Sequence, residues 1–116
     1  MSEMHKTRSY LARFIRERQT VLTIGLDTDV LKIPSFLNGD ILTFNQKIIE
    51  ATHDLCIAYK LNFAFYESLG SKGWDILEKT NRLIPSTHLI IADAKRGDIG
   101  NTSEMYARAI YDQLGC

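Results

Sequence analysis

The sequence predicts an α/β fold in which a parallel sheet is covered by helices. Three observations predict it. Short apolar stretches rich in β-branched residues, VLTIGL (21–26), CIAYKLNF (56–63) and HLIIADA (88–94), recur along the chain. They read as nearly continuous apolar runs, the pattern of strands buried on both faces. Each is followed by a longer segment with apolar residues at helical spacing, and no Ser/Gly-rich linker breaks the series. A leading helix and then strand–helix three times over is the signature of consecutive βα units.

The elements follow in order. Residues 9–19 carry Tyr10, Leu11, Phe14 and Ile15 on one side and form an amphipathic leading helix. VLTIGL is the first strand, and Asp29, Pro34 and Gly39 mark the loop after it. Asp40 is placed to cap a helix whose apolar face is Ile41, Phe44, Ile48 and Leu55. CIAYKLNF is the second strand. Ser71 opens a helix around Trp74, Ile76 and Leu77, which ends near Pro85. HLIIADA is the third strand. Asn101 and Glu104, three positions apart, match a capping box with Asn in place of Ser or Thr. They would open a last helix with Ala107, Ile110 and Leu114 on one face.

Composition narrows the function classes. At 116 residues the chain is one domain or part of a larger one, and its balance of apolar and charged residues is that of a soluble globular protein. Net charge is zero, so there is no electrostatic footprint for nucleic acid or acidic lipid. No apolar run approaches the roughly 18 residues of a membrane span. The opening segment MSEMHKTRSYLARFIRER is interrupted by charge every few residues and has no secretory apolar core. Two cysteines, Cys56 and Cys116, are too few for a metal site or a disulfide framework, so a reducing cytoplasm is the expected home. Cys56 reads as a core thiol. His5, His53 and His88 are scattered without ligand spacing, and no metal is expected. Trp74 and the FAFYE aromatics (63–67) read as packing, not as a stacking platform for bases.

Charge carries the chemical signal. Asp27, Lys60 and Asp93 recur at intervals of 33 residues, each closing an apolar strand. Parallel α/β folds hold their active sites at that C-terminal strand end. The same period occurs in ankyrin arrays, but the strands are too apolar and the ankyrin pattern is absent. In DAKRGD (93–98), Asp93 and Lys95 are two apart and so share a strand face. With Lys60 arriving on the neighbouring strand, a carboxylate between two ammonium groups stays ionised and forms a fixed field. The bland alternative is an ordinary solvated strand end with ion pairs.

DAKRGDIGNT (93–102) resembles the signature of the orotidine 5′-phosphate decarboxylase family, in the form D-x-K-R-x-D-I-x-x-T. IGLDTD (24–29) resembles that family's first-strand motif and YKLNFAFYESLGSKGW (59–74) its second, so the resemblance runs through nearly the whole chain in order. The second motif is most similar to the longer bacterial branch, which usually has proline where this chain has Leu61. The resemblance implies decarboxylation of orotidine 5′-phosphate to UMP, in pyrimidine biosynthesis, without cofactor or metal. It implies that Asp27 binds ribose hydroxyls and that Lys60 contacts the ribose and orients the neighbouring carboxylate. Asp93 would face the substrate carboxylate, and Lys95 would protonate pyrimidine C6 as carbon dioxide leaves. Asp98, Ile99 and Thr102 would reach the partner's site across a homodimer interface. Arg96 matches the motif without a catalytic role, Gly97 serves the turn, and Asn62 is expected near the site.

The family fold is a (β/α)₈ barrel, which takes about 250 residues. Residues 1–116 would supply its leading helix and first three βα units, as the N-terminal part of one domain whose phosphate-gripping loops lie further on. An inactive fragment is therefore expected, with an open sheet edge. Three alternatives stand beside this. A magnesium-dependent hexulose-phosphate synthase or keto-gulonate-phosphate decarboxylase also has D-x-K-x-x-D, although KRGDI and the Lys60 motif favour the orotidine enzyme. Arg96-Gly97-Asp98 spells an integrin-binding tripeptide, a coincidence in a chain without a secretion signal. The chain could also be a purely structural, non-catalytic piece.

Overall fold

The computed structural model describes residues 6–116, so His5 lies outside the described residues. Three parallel strands, β1 (Thr23–Gly25), β2 (Ala58–Asn62) and β3 (Leu89–Asp93), form a sheet in the order β1-β2-β3. Helix α1 (Arg8–Arg18) precedes the sheet, α2 (Ile41–Thr52) joins β1 to β2, and α3 (Phe63–Glu67) and α4 (Ser71–Leu83) join β2 to β3. Helix α5 (Gly100–Ala107) follows β3 and continues as a π-helix over Arg108–Gln113. A single 3₁₀ turn, Ser35–Leu37, sits in the β1–α2 loop.

Strand alternation divides the sheet into two faces. Ile24, Leu26, Tyr59, Leu61, Ile90 and Ala92 point to the helical layer and pack with Ile41 and Ile49 of α2, Phe63 and Tyr66 of α3 and Leu77 of α4. Tyr59, Leu61 and Leu77 are fully buried. At about 1.5–3 kcal/mol for each large apolar side chain, this layer supplies most of the driving force for folding. The other face carries Ala58 and Leu89 at its N-terminal end, where Phe14 of α1 covers them. Tyr10 hydroxyl donates to the Thr87 carbonyl at 2.9 Å, and Arg18 reaches the His53 carbonyl at 3.4 Å. Helix α1 therefore seals the end of the sheet opposite the charged residues.

Several expectations change in detail. The first strand is shorter than VLTIGL: Val21 and Leu22 are exposed, and Leu22 and Leu26 each keep one hydrogen bond to the second strand beyond the ends of β1. Asp40 caps α2 as expected, accepting the Thr43 N–H at 3.0 Å. The buried face of α2 is however Ile41, Asn45 and Ile49, and Leu55 lies beyond the helix and is 59% exposed. The FAFYE stretch leaves the sheet to form α3, because Asn62 accepts the Ala64 N–H at 3.3 Å and starts a helical turn. Helix α4 does begin at Ser71, but it is preceded by Gly70 at φ 68°, which turns the chain without a side-chain cap. The Asn101–Glu104 capping box does not form. Helix α5 starts at Gly100, so Asn101 sits in its first turn and accepts the Thr102 N–H at 3.0 Å, while Glu104 pairs with Arg108 at 2.6 Å.

Candidate active site

The charged residues gather at the C-terminal ends of the strands, on the face not covered by α2 and α4. Asp93 is the last residue of β3, and its side chain is one-quarter exposed. Lys95 Nζ donates to Asp93 Oδ1 at 2.5 Å. The contact is not made by strand alternation, because β3 has ended and Lys95 has φ 52°. A non-glycine residue in the left-handed region is uncommon, and such conformations persist where the surroundings impose them. The turn folds the ammonium back onto the carboxylate two residues earlier. The hydrogen bond from Lys95 holds the Asp93 carboxyl below the usual carboxylate range, with the Lys95 and Lys60 charges acting in the same direction.

Equal spacing of Asp27, Lys60 and Asp93 does not put them at one level. Lys60 pairs with Gly25 on one side and Ile91 on the other, whereas Asn62 pairs with Asp93. The β1–α2–β2 unit is longer than the β2–α3–α4–β3 unit between register partners. Lys60 thus sits two residues below Asp93, about 7 Å along the strand, and on the same face. The residue level with Asp93 is Asn62, whose amide also reaches Asp27 Oδ2 at 3.5 Å. Asp27 is exposed, two residues beyond β1. Asn62 thereby joins the β1 and β3 sides of the site.

Asp98, Ile99 and Thr102 stand apart from this cluster. Asp98 accepts the Ile99 N–H at 2.7 Å, and Ile99 is 79% exposed. All three are solvent-facing at the start of α5.

Two features were not visible in the sequence. Arg96 forms a half-buried ion pair with Glu67. Its guanidinium carbon lies 5.5, 5.8 and 5.9 Å from the ring centroids of Phe63, Trp74 and Tyr106. This cage fastens the residue after Lys95 to α3, α4 and α5. The second feature is a buried polar cluster beneath Asp27, made of Thr28, Asn45, Tyr66 and Thr80. The one sequence signal for it is a polar Asn in the centre of an apolar helix face. Burial pushes the Tyr66 phenol up from its ordinary value, so it stays protonated and donates to the Leu26 carbonyl at 2.8 Å.

The arrangement places an ammonium against a carboxylate at the open, C-terminal end of a parallel sheet. The family model for the orotidine 5′-phosphate decarboxylase / HUMPS family matches residues 20–115, and the chain belongs to that family. Orotidine 5′-phosphate decarboxylase of Bacteroides fragilis is 54% identical over 106 residues, covering 86% of this chain and 39% of that protein. The Christiangramia forsetii protein of the same name is 48% identical over 115 residues, covering 94% of this chain and 42% of the relative. The solved OMP decarboxylase of Leishmania donovani superposes with a TM-score of 0.75 at 31% identity, over 91% of this chain and 41% of that one. The chain thus spans about two-fifths of the length of these relatives. Its fold is that of the leading helix and first three βα units of a (β/α)₈ barrel.

Proposed function

We propose that a protein carrying this chain decarboxylates orotidine 5′-phosphate to UMP, as a cytoplasmic step of pyrimidine biosynthesis. The observation that carries this reading is the Lys95–Asp93 contact at 2.5 Å within the D-x-K-R-x-D-I signature. Loss of carbon dioxide from C6 leaves an electron pair that the pyrimidine ring delocalises poorly. The Lys95 ammonium supplies positive charge at that carbon and then its proton, joining electrostatic and general-acid roles. Asp93 and Lys60 hold Lys95 in place, and Asp27 with Lys60 takes the ribose. This charge array does the work that a cofactor or metal would do elsewhere, so none is assigned.

Asp98, Ile99 and Thr102 would complete a partner's site in a homodimer, and their exposure supports that use. Activity is proposed for a protein of the relatives' length, and the 116 residues by themselves are expected to be inactive. In the full-length protein, Lys95→Ala is expected to lower turnover by at least about a thousandfold while UMP still binds, since donor and charge stabilisation vanish together. Near-normal turnover would refute the assignment. Loss of activity in EDTA, restored by magnesium, would move the protein to the metal-dependent branch of the family.

A further inference from the structure

We infer that Thr28, Asn45 and Tyr66 are positioning residues for Asp27, fixing the backbone on both sides of that carboxylate so that it meets a ribose hydroxyl ready-aligned. The inference rests on the ribose role proposed for Asp27. The residue before Asp27 is tied down through its carbonyl, as Tyr66 hydroxyl donates to the Leu26 carbonyl at 2.8 Å. The residue after it is tied down through its side chain, as Thr28 hydroxyl donates to Asn45 Oδ1 at 2.5 Å. Asn45 closes the circuit, its amide donating to Tyr66 at 3.1 Å and to Thr80 at 3.0 Å.

The donors of Thr28, Asn45 and Tyr66 are each engaged. Thr28 gives to Asn45, Asn45 gives twice, and Tyr66 gives to the backbone. Tyr66, Asn45 and Thr80 are at most 1% exposed and Thr28 is 6% exposed. Burying four polar side chains is costly unless all are satisfied, and a satisfied network fixes one geometry. Apolar residues would fill the same space between α2, α4 and the end of β1. What this network adds is a rigid seat for one exposed residue, Asp27, the position between its two anchor points.

The test measures Kd for UMP and for 2′,3′-dideoxyuridine 5′-monophosphate on the full-length protein by calorimetry. Asp27→Ala is expected to cut the preference for UMP further than any other variant here, leaving only the share that Lys60 supplies. Thr28→Val and Tyr66→Phe each remove one hydroxyl, and each is expected to cut the preference at least about fivefold, within reach of one misaligned hydrogen bond to a charged group. The dideoxynucleotide should bind as in the parent, and Thr28→Ser should restore the preference. A purely structural role would weaken both ligands equally, and an unchanged ratio in the folded variants would overturn the inference while leaving Asp27's own role intact. A preference left unchanged by Asp27→Ala would instead overturn the ribose assignment and the inference with it. Tyr66→Phe removes a single oxygen without changing the ring, so it decides the matter if Thr28→Val fails to fold.

Discussion

Arg96 invites a perturbation whose size follows from its surroundings. Arg96→Met keeps a long apolar stem between Phe63, Trp74 and Tyr106 but deletes the guanidinium. Three ring contacts at 5.5–5.9 Å are lost, together with the ion pair to Glu67. Cation–π contacts contribute about 0.5–1 kcal/mol each at exposed sites, and the three share one cation, so about 1–2 kcal/mol is a fair sum. The side chains of Arg96 and Glu67 are 21% and 33% exposed, so solvent screens the pair only partly. Leaving the Glu67 carboxylate without its cation adds about 1–2 kcal/mol. The expected loss is therefore about 2–4 kcal/mol. With a urea m-value of about 1.5 kcal/mol/M, that moves the midpoint down by roughly 1.3–2.7 M. A double-mutant cycle with Glu67→Gln should return a coupling of about 1–2 kcal/mol. A midpoint shift equivalent to under about 0.5 kcal/mol, the range of an ordinary surface substitution, would refute the cage as a structural clamp.

Other expectations are independent of that one. A Cβ on Gly73 would lie 1.6 Å from the Tyr66 carbonyl oxygen, where α4 crosses the end of α3. Gly73→Ala should therefore cost at least about 2 kcal/mol by urea titration despite the gain in helix propensity of about 1 kcal/mol, and a stabilised variant would disprove the close approach. Burial lowers the His88 imidazole from its ordinary 6.5, while its Nε2 meets the His53 carbonyl at 2.6 Å. The unfolded chain then takes up the proton first, so His88's contribution is whole above that value and fades as pH falls through it. The urea midpoint should drop between pH 7.5 and 5.5, with a shallower slope in His88→Gln, and equal slopes would contradict this. Because Lys95 is the larger cause of the lowered Asp93 pKa, Lys95→Met should raise the Asp93 carboxyl further than Lys60→Met does, as read by carbon NMR titration. The reverse order would mean that Lys60 is the principal partner.

The strands and main helices were legible because each rests on local periodicity, as with Phe14 in α1, Ile41 in α2 and Leu77 in α4. The Asp93–Lys95 pair was legible because the two residues are near neighbours, although a left-handed turn makes the contact rather than a continued strand. The level of Lys60 was not legible, since parallel register depends on how much chain each crossover uses. Nor was the short helix α3, because Phe63, Phe65 and Tyr66 suit a strand and only the Asn62 side chain redirects them. The Arg96 cage and the Asn45 cluster draw partners from three elements each, and no local pattern encodes such meetings.

The offset of Lys60 has a consequence for what can replace it. Its ammonium must climb from one pleat lower to bear on Asp93, so stem length matters as much as charge. A shortened cationic side chain at this position would keep the formal balance yet leave its head stranded beneath the mouth of the sheet. Asp93 lies under the charge of two lysines, one on a tight bend above that touches it and one on the rigid strand below. Only the lower one is anchored in the sheet's hydrogen-bonded ladder, whereas the upper one owes its place to a single left-handed residue.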